Sequence, residues 1–317
     1  MGITDVVTGE SNYTEDDVKE IARAFTGWKF FHLRDDSNPF NYQFVVNQPE
    51  HDNTAKTIYS GTQWARTGNL DGADVIGIIC ARRATARYLV KKLFEFFVFP
   101  LDSGATDKAI IDRFADVYLS RNHSIKELVR AIFISDEFFS QRARFALVKS
   151  PVEMIVGPIR MLGARYNPGA SAREAASNNM LPAFSIFLGQ ELFNPPDVSG
   201  WKLNLGWINT STLLNRFTYA NLLANNRTRD LNATGLWLSQ DQLRSFAKKN
   251  SKKTLKKLLS ILGPLDVGAE MFAALRTYLE SDDQGNRIGF ALDDLTLDKK
   301  VRGLIHLIMC LSEFQLN

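Results

Sequence analysis

Apolar residues recur at helical spacing along most of this chain, and residues that cap helices precede many of the apolar runs. The first run places Val18, Ile21 and Phe25 on one helical face. Thr14 can cap this helix, which should extend to about Thr26. The pattern therefore predicts an amphipathic helix at the start of the chain.

Further helices are predicted by serines that lie three residues before a Glu or Gln. At this spacing the serine side chain can bond the backbone N–H of the Glu or Gln, and the Glu or Gln side chain can bond the backbone N–H of the serine. These pairs are Ser124 with Glu127, Ser150 with Glu153, Ser171 with Glu174 and Ser239 with Gln242. Apolar spacing predicts other helices from Asp71 or Asp74 and over about 84–98, 106–119, 211–224 and 301–311.

One region, about residues 30–61, does not follow the helical period. Two short β-prone runs, residues 44–46 and 57–59, lie on either side of the turn-forming Asn47, Gln48 and Pro49. We interpret this region as a small β-hairpin or an irregular excursion that carries His51 and Asp52.

These elements predict an all-α, multi-helix globular fold with a small β-hairpin near residues 40–61. We find no repeat and no clear linker, so we expect a single helical domain over 1–317. Its subregions would be an N-terminal helix (1–30), the hairpin with the His-Asp pair (31–66), central helices with a Pro/Trp loop (67–227) and C-terminal helices (228–317).

Composition narrows the function only a little. Hydrophobic residues make up 45% of the chain and charged residues 23%, and the net charge of +3 does not suggest a dedicated nucleic-acid binder. Cys80 and Cys310 are expected to be buried free thiols, and the absence of a CxxC pair argues against structural zinc. No apolar run is long enough to span a membrane, and residues 1–9 do not form a signal peptide. The cell compartment stays unknown.

Several strings together resemble a known family. They are Asn12–Val18, Ala22–Trp28, the pair His51–Asp52 with Lys56 and Gly61, Ala84–Arg87 with Lys92–Phe94, Val148–Glu153, Leu188–Gln190, Pro195–Trp201, Trp207–Thr210 and Ser312–Phe314. In this order they resemble the domain of unknown function 1800 (DUF1800), over nearly the whole chain.

The resemblance implies little about activity, because members of the family have no established one. Many bacterial members look exported and are encoded beside a sulfatase-like family, which implies an extracytoplasmic role. Compared with the family, this chain would begin near the middle of the domain and lack the usual N-terminal helical region. It would then be a fragment, a short version, or a subunit completed by a second chain that supplies the missing region.

His51 and Asp52 are the first candidates for chemistry. Histidine is the commonest acid/base group near neutral pH, and a neighbouring carboxylate can orient it or bind a metal with it. The alternative is that both residues form a turn. A metal would need further ligands. His32 could fold back across the hairpin, but His123 and His306 lie on other helices, and no two histidines have the i, i+4 spacing of helical ligands. We therefore predict no metal and no cofactor.

The second candidate is a Pro- and Trp-rich loop that could bind a flat ligand such as a sugar. Its residues are Asn194, Pro195, Pro196, Asp197 and Trp201, and the family motif around His51 adds Lys56. Alternatively, Trp201 and Trp207 fill the space between helices.

A third candidate places Glu153 and Arg160 on one helical face near Lys149. The alternatives are that Glu153 belongs to a helix cap and that Arg160 and Arg216 pair with buried carboxylates. Lysines 248, 249, 252, 253, 256 and 257 form a cationic helical face that could attract anions or could only be solvated.

Two functions remain open. The first is a non-enzymatic binding or assembly protein that engages a protein partner or a glycan. The second is a hydrolase or metal-assisted enzyme that uses His51 and Asp52. The absence of GxSxG, GxxxxGK and GxGxxG motifs argues against common serine hydrolases, P-loop NTPases and Rossmann dehydrogenases.

Overall fold

The structure is a computed structural model that describes residues 2–32, 41–167, 180–225 and 235–317. Its backbone contacts divide the chain into two compact units, unit 1 (Met1–Ala143) and unit 2 (Arg144–Asn317). The expectation of one helical domain with four subregions stays a prediction.

Unit 1 contains five helices among its described residues, together with two antiparallel hairpins. The helices are α1 (Glu15–Ala24), α2 (Gly72–Ala81), α3 (Arg83–Phe97), α4 (Ala105–Ser120) and α5 (Ile125–Phe133). The hairpins pair β1 (Trp28–His32) with β2 (Tyr42–Val46) and β3 (Lys56–Ile58) with β4 (Arg66–Gly68).

The two β-prone runs of the sequence are both strands, but they do not pair with each other. Residues 44–46 belong to β2, whose partner is β1, while residues 57–58 belong to β3, whose partner is β4. Neither partner was predicted. Trp28–His32 directly follows a helix, and Arg66–Gly68 is too short and polar to show an alternating pattern.

A small core packs β3 against α1 and α2. Ala24, Ile58, Tyr59 and Val75 are its buried members. Trp28 attaches the β1–β2 hairpin beside this core. Its ring lies 4.9 Å from the ring of Phe25, and a Cβ on Gly72 would come within 2.5 Å of it. The glycine at the start of α2 therefore leaves room for the tryptophan.

The described part of unit 2 is also mainly helical. Its helices are α6 (Pro151–Leu162), α7 (Met180–Phe187), α8 (Thr210–Asn225), α9 (Gln240–Phe246), α10 (Ser251–Ile261), α11 (Ala269–Glu280) and, after a short helical turn (Asp294–Thr296) and a π-helical segment (Leu297–Val301), α12 (Arg302–Met309). The strands β5 (Arg165–Asn167) and β6 (Gly235–Trp237) pair antiparallel. Helices α8 and α12 pack together in a large apolar core.

The structure confirms the all-α class with small hairpins and most of the predicted caps. Thr14, Ser124, Ser150 and Ser239 each accept a hydrogen bond from the backbone N–H three residues ahead. The predicted cap at Ser171 lies outside the described residues. Both cysteines are free, as expected, but each is partly exposed rather than buried. Within the described ranges, no helix is both long enough and apolar enough to cross a bilayer.

Candidate functional site

The His51–Asp52 pair lies where a single 3₁₀ turn, Gln48–Glu50, ends. The turn packs closely against Gly27, which has a φ of +80°. A Cβ at this position would lie 2.6 Å from the carbonyl oxygen of Asn47 and 3.1 Å from the backbone nitrogen of His51. Glycine is therefore needed here both for the left-handed conformation and for the close approach.

The half-buried imidazole of His51 is fixed by a backbone carbonyl. Its Nδ1 lies 2.9 Å from the carbonyl oxygen of Thr26, at the end of α1. A carbonyl only accepts hydrogen bonds, so Nδ1 carries the proton and, in the neutral ring, Nε2 keeps its lone pair. This contact both holds the turn and sets the tautomer.

Asp52 is occupied on both carboxylate oxygens. Oδ2 accepts from Nε of Arg23 at 2.8 Å, and Oδ1 accepts from the backbone N–H of Thr54 at 2.9 Å and from its hydroxyl. The Arg23 hydrogen bond, and after it those from Thr54, hold the pKa of Asp52 well below its usual range. A carboxylate stabilised in this way is a weak base, and its contacts form an Asx turn.

Arg23 joins α1 to this loop, and Lys56 supports the loop from within. Arg23 also donates from Nη1 to both Glu20 oxygens at 2.8 Å. Lys56 is fully buried, and its ammonium donates to the backbone carbonyls of Asp52 and Thr54 and to Oδ1 of Asn69. The structure thus places the buried Lys56 ammonium against the backbone carbonyl of Asp52 rather than against its carboxylate.

The Pro/Trp loop of unit 2 is built differently. Asn194, Pro195, Pro196 and Asp197 are exposed, and Trp201 is half-buried. Asp197 accepts from the backbone N–H of Ser199 at 2.7 Å, and Asn194 donates to Glu191 at 2.9 Å. Trp207 is buried and belongs to the packing. The exposed apolar side chains around this loop are Leu192, Phe193, Val198, Leu203 and Leu205.

Glu153 takes part in a helix cap. Its carboxylate accepts from the backbone N–H of Ser150 at 2.7 Å, while its own N–H bonds the serine hydroxyl. Arg160 is exposed on the same helix. A second motif supports the start of α6, because the side chain of Gln190 accepts from the N–H of Val152 at 3.2 Å. These motif residues stabilise the N-terminus of the helix.

Two cations near this helix are buried, and no carboxylate of the described residues lies within bonding distance of either. Lys149 donates to the carbonyls of Phe314 and Leu316, and burial lowers its pKa to about 8. Arg216 donates to the carbonyl of Lys149 at 2.7 Å and to Gln315 at 3.2 Å. Within the described residues, backbone carbonyls and one side-chain amide, rather than carboxylates, bond these two cations, which bind the end of the chain to α6 and α8.

The described residues contain no group of three or more His, Cys, Asp or Glu side chains placed to hold a metal ion. The lysines at positions 248, 249, 252, 253, 256 and 257 are all exposed, and Lys249 and Lys252 line a cleft of about 350 Å³ together with Arg276, Glu280 and Arg287. Glu280 bonds both arginines there, so the cleft is partly neutralised.

Two features were missed from the sequence. The first is an aromatic face on the β1–β2 hairpin, which an alternating pattern across both strands would have revealed. The second is the contact between two buried side chains, Arg82 and Tyr59, in which the guanidinium carbon lies 4.3 Å from the centre of the tyrosine ring. Neither residue lies within a motif, and no local pattern signals that the two side chains meet.

Comparison with known proteins identifies the family and nothing finer. The chain belongs to the family described as "Protein of unknown function (DUF1800)", whose model matches residues 6–316. No curated protein and no solved structure matches the chain.

Proposed function

We propose that this protein is a binding or assembly protein that engages a protein partner through the aromatic face of its β1–β2 hairpin. The observation that carries the proposal is the exposure of this face. Phe30 is 74% exposed, Phe44 58% and Tyr42 55%. Single exposed apolar residues are common, but a contiguous group is typical of an interaction surface.

The strand register places these side chains together. Phe30 lies opposite Phe44, and Trp28 lies opposite Val46, so all four share one face of the hairpin. The rings of Phe30 and Tyr42 are 5.8 Å apart, and those of Trp28 and Phe44 are 5.1 Å apart. The surface is therefore continuous from the Trp28 end to Tyr42.

The hairpin is suited to act as a preformed element. A two-stranded hairpin is marginal in water on its own, so its attachment by Trp28 against Phe25 and Gly72 matters. The attached end orders the strands before binding, which lowers the entropic cost of association. A partner that covers the outer rings would complete the burial that the hairpin lacks.

A protein partner fits this face better than a glycan does. The ring planes of Phe30 and Tyr42 meet at 79° and those of Trp28 and Phe44 at 77°, so they do not form a flat platform for a sugar ring. On unit 2, Trp207 is buried and the exposed loop residues are mostly aliphatic. Exposed Phe and Tyr are typical of the centre of a protein interface.

The proposal is tested with a photo-crosslinking phenylalanine analogue placed at position 44. Its control carries the same analogue at position 139, where Phe139 is 75% exposed elsewhere in unit 1. We expect irradiation in native extract to give a discrete protein adduct from position 44 only, and Phe30→Ser to abolish it. Equal adducts from both positions, no adduct from position 44, or binding of glycans alone would contradict the proposal.

The hydrolase hypothesis rests on one observation: Nδ1 of His51 bonds a backbone carbonyl, and no described residue bonds its Nε2. Asp52 gives it little support, since that carboxylate is already bound by Arg23 and Thr54. The test is His51→Ala. A change in metal content or hydrolytic activity that exceeds the accompanying loss of folded protein would revive the enzyme hypothesis.

A further inference from the structure

The cleft of unit 2 that contains Glu280 is lined mainly by cationic side chains. It has a volume of about 350 Å³ and lies between the start of α10, the end of α11 and the loop that follows α11. Lys249, Lys252, Arg276 and Arg287 line it, and Glu280 is the one carboxylate among its described lining residues. Positive charge is therefore in excess around a concave space, where a ligand can be surrounded.

A second depression, of about 510 Å³, adjoins this cleft. The two share the residues at their boundary, which are Lys252, Arg276, Glu280 and Arg287. Small-molecule sites are typically concave spaces of a few hundred Å³ with a small number of polar groups that converge on the ligand. The shared cations lie where a ligand in either depression would meet them.

Glu280 positions the two arginines without using all of their donors. Its Oε1 accepts from Nε of Arg276 at 2.9 Å and from the hydroxyl of Ser251, and its Oε2 accepts from Nη2 of Arg287 at 3.0 Å. No described residue bonds the two terminal nitrogens of Arg276, or Nε and Nη1 of Arg287. One carboxylate thus positions two guanidiniums that keep N–H donors for a further acceptor.

The loop that carries Arg287 folds back on the end of α11. The backbone carbonyl of Glu280 accepts from the N–H groups of Ile288 and Gly289 at 2.8 and 3.1 Å. Ser281 and Arg287 form an antiparallel bridge in the same loop. These backbone bonds hold Arg287 at the cleft before a ligand arrives, which lowers the entropic cost of binding.

The unmatched charge favours a ligand with more than one negative charge. Lys249 and Lys252 pair with no carboxylate in the described part of the chain, and Glu280 carries only one charge against the two arginines. A phosphate monoester carries about −1.5 to −2 charges at pH 7 and has three strong acceptor oxygens. Guanidinium groups match the geometry of such oxygens well.

We propose that this cleft binds the phosphate group of a small organic phosphate, with the two arginines donating to its oxygens. The lysines add charge at the rim. Phe290, a half-buried ring in the wall of the cleft, offers an apolar surface to the organic part. The cleft has room for several water molecules, so a free phosphate ion would fill only part of it. The site lies wholly in unit 2 and does not depend on the β1–β2 hairpin.

The site is tested by isothermal titration calorimetry of the whole chain with phenyl phosphate and with inorganic phosphate, at constant ionic strength in sodium chloride. We expect saturable binding of phenyl phosphate, and binding of inorganic phosphate that is weaker by about ten-fold because it buries no ring. Absence of saturable phenyl phosphate binding would overturn the proposal. Inorganic phosphate that binds as tightly as phenyl phosphate would overturn the assignment to an organic phosphate.

Charge variants test whether the cleft is the place of binding. Arg287→Gln should weaken phenyl phosphate by about ten-fold, since it removes donors to a charged group. Lys252→Gln should weaken it by about three-fold, since an exposed lysine contributes less. Their matched controls are Arg244→Gln and Lys256→Gln, which replace exposed cations of unit 2 that line neither depression. The controls should leave the affinity unchanged.

A third variant separates the two parts of the ligand. Phe290→Leu should weaken phenyl phosphate and leave inorganic phosphate unchanged. The unfolding midpoint of each variant shows whether it is folded, and Arg287→Gln should be, because the Arg287 side chain is 77% exposed. Wild-type affinity in Arg287→Gln, or equal losses in Arg287→Gln and Arg244→Gln, would overturn the proposal.

Discussion

Two neighbouring regions of unit 1 differ in how far their side chains are bonded or buried within the protein. The loop from His51 to Lys56 bonds nearly every polar group it presents, to α1 or to its own backbone. The β1–β2 hairpin, a few residues earlier, leaves most of its aromatic side chains in solvent. The first region contains residue types that are common in active sites, but their hydrogen bonds stabilise the loop and connect it to α1. Apart from Trp28, the second region lies outside the family strings, yet its aromatic side chains are exposed in the way that is typical of an interaction surface.

The difference shows that residue type alone does not identify a site. His51 and Asp52 are residue types that often act as acids and bases, yet both carboxylate oxygens of Asp52 already accept hydrogen bonds from Arg23 and Thr54. These hydrogen bonds stabilise the turn in its position against Gly27. The rings of Phe30 and Phe44 are largely exposed, so further burial of these rings would be favourable.

The strongest test of the structural role is Gly27→Ala. The substitution should lower the free energy of unfolding by about 2–5 kcal/mol, since it adds the cost of a left-handed non-glycine residue to that of overpacking. Urea unfolding at pH 7 measures the change. Gly61→Ala is the control. Gly61 has a φ of +77° but no atom within 4 Å of its Cβ position, so we expect a loss of only about 1–2 kcal/mol. Equal losses would refute the close-packing argument.

A second substitution separates the attached end of the hairpin from its outer face. In Gly72→Ala, the new methyl group meets the Trp28 ring at 2.5 Å and Phe25 at 2.8 Å, so one ring must move. We expect a loss of about 1–3 kcal/mol and a shift in tryptophan fluorescence. Gly77→Ala, in the same helix with open space at its Cβ position, should be neutral or stabilising. If Gly72→Ala changed neither the free energy of unfolding nor the tryptophan fluorescence, Trp28 would not be what attaches the hairpin to the core.

The third test concerns the charge of Asp52. Its pKa is depressed in the folded protein, so its stabilisation is complete above the unfolded pKa of about 3.9 and is lost as the pH falls through the lower, folded value. Asp52→Asn should unfold more easily than wild type at pH 5–8, and the difference should close below about pH 4. Chemical unfolding across this range measures it. Asp197→Asn is the control, because Asp197 is an exposed Asx residue that no arginine of the described ranges bonds. A constant difference down to pH 2 would contradict this electrostatic account.

The smallest effect on stability is expected at the hairpin face. Phe30→Ser and Phe44→Ser should each change the unfolding free energy by no more than about 0.5 kcal/mol, because both rings are largely exposed already. They should nevertheless reduce partner binding strongly. Phe139→Ser tests whether any exposed phenylalanine behaves this way. A large loss of stability at Phe30 would indicate that the face belongs to the fold.

Much of the fold was predictable because its signals are local. The caps at Thr14, Ser150 and Ser239 are short-range bonds between residues three positions apart, and each was found. Strand pairing was not predictable. The partners of residues 44–46 and 57–58 are set by how Trp28 and the surrounding core pack, and no local period records that.

The candidate site was predictable in position but not in role. The loop nature of residues 51–56 follows from the sequence, whereas the Arg23–Asp52 bond spans 29 residues. The contact between Arg82 and Tyr59 is harder still to predict, because the two residues are distant in sequence and no motif contains both.

The most direct test of the central contrast places one photo-crosslinker at two positions of unit 1. Position 44 is on the hairpin face, and position 53 is an exposed residue of the His51–Lys56 loop. The account predicts a discrete protein adduct from position 44 and none from position 53. An adduct from position 53 and none from position 44 would contradict it, and would make the His51–Asp52 loop the binding surface.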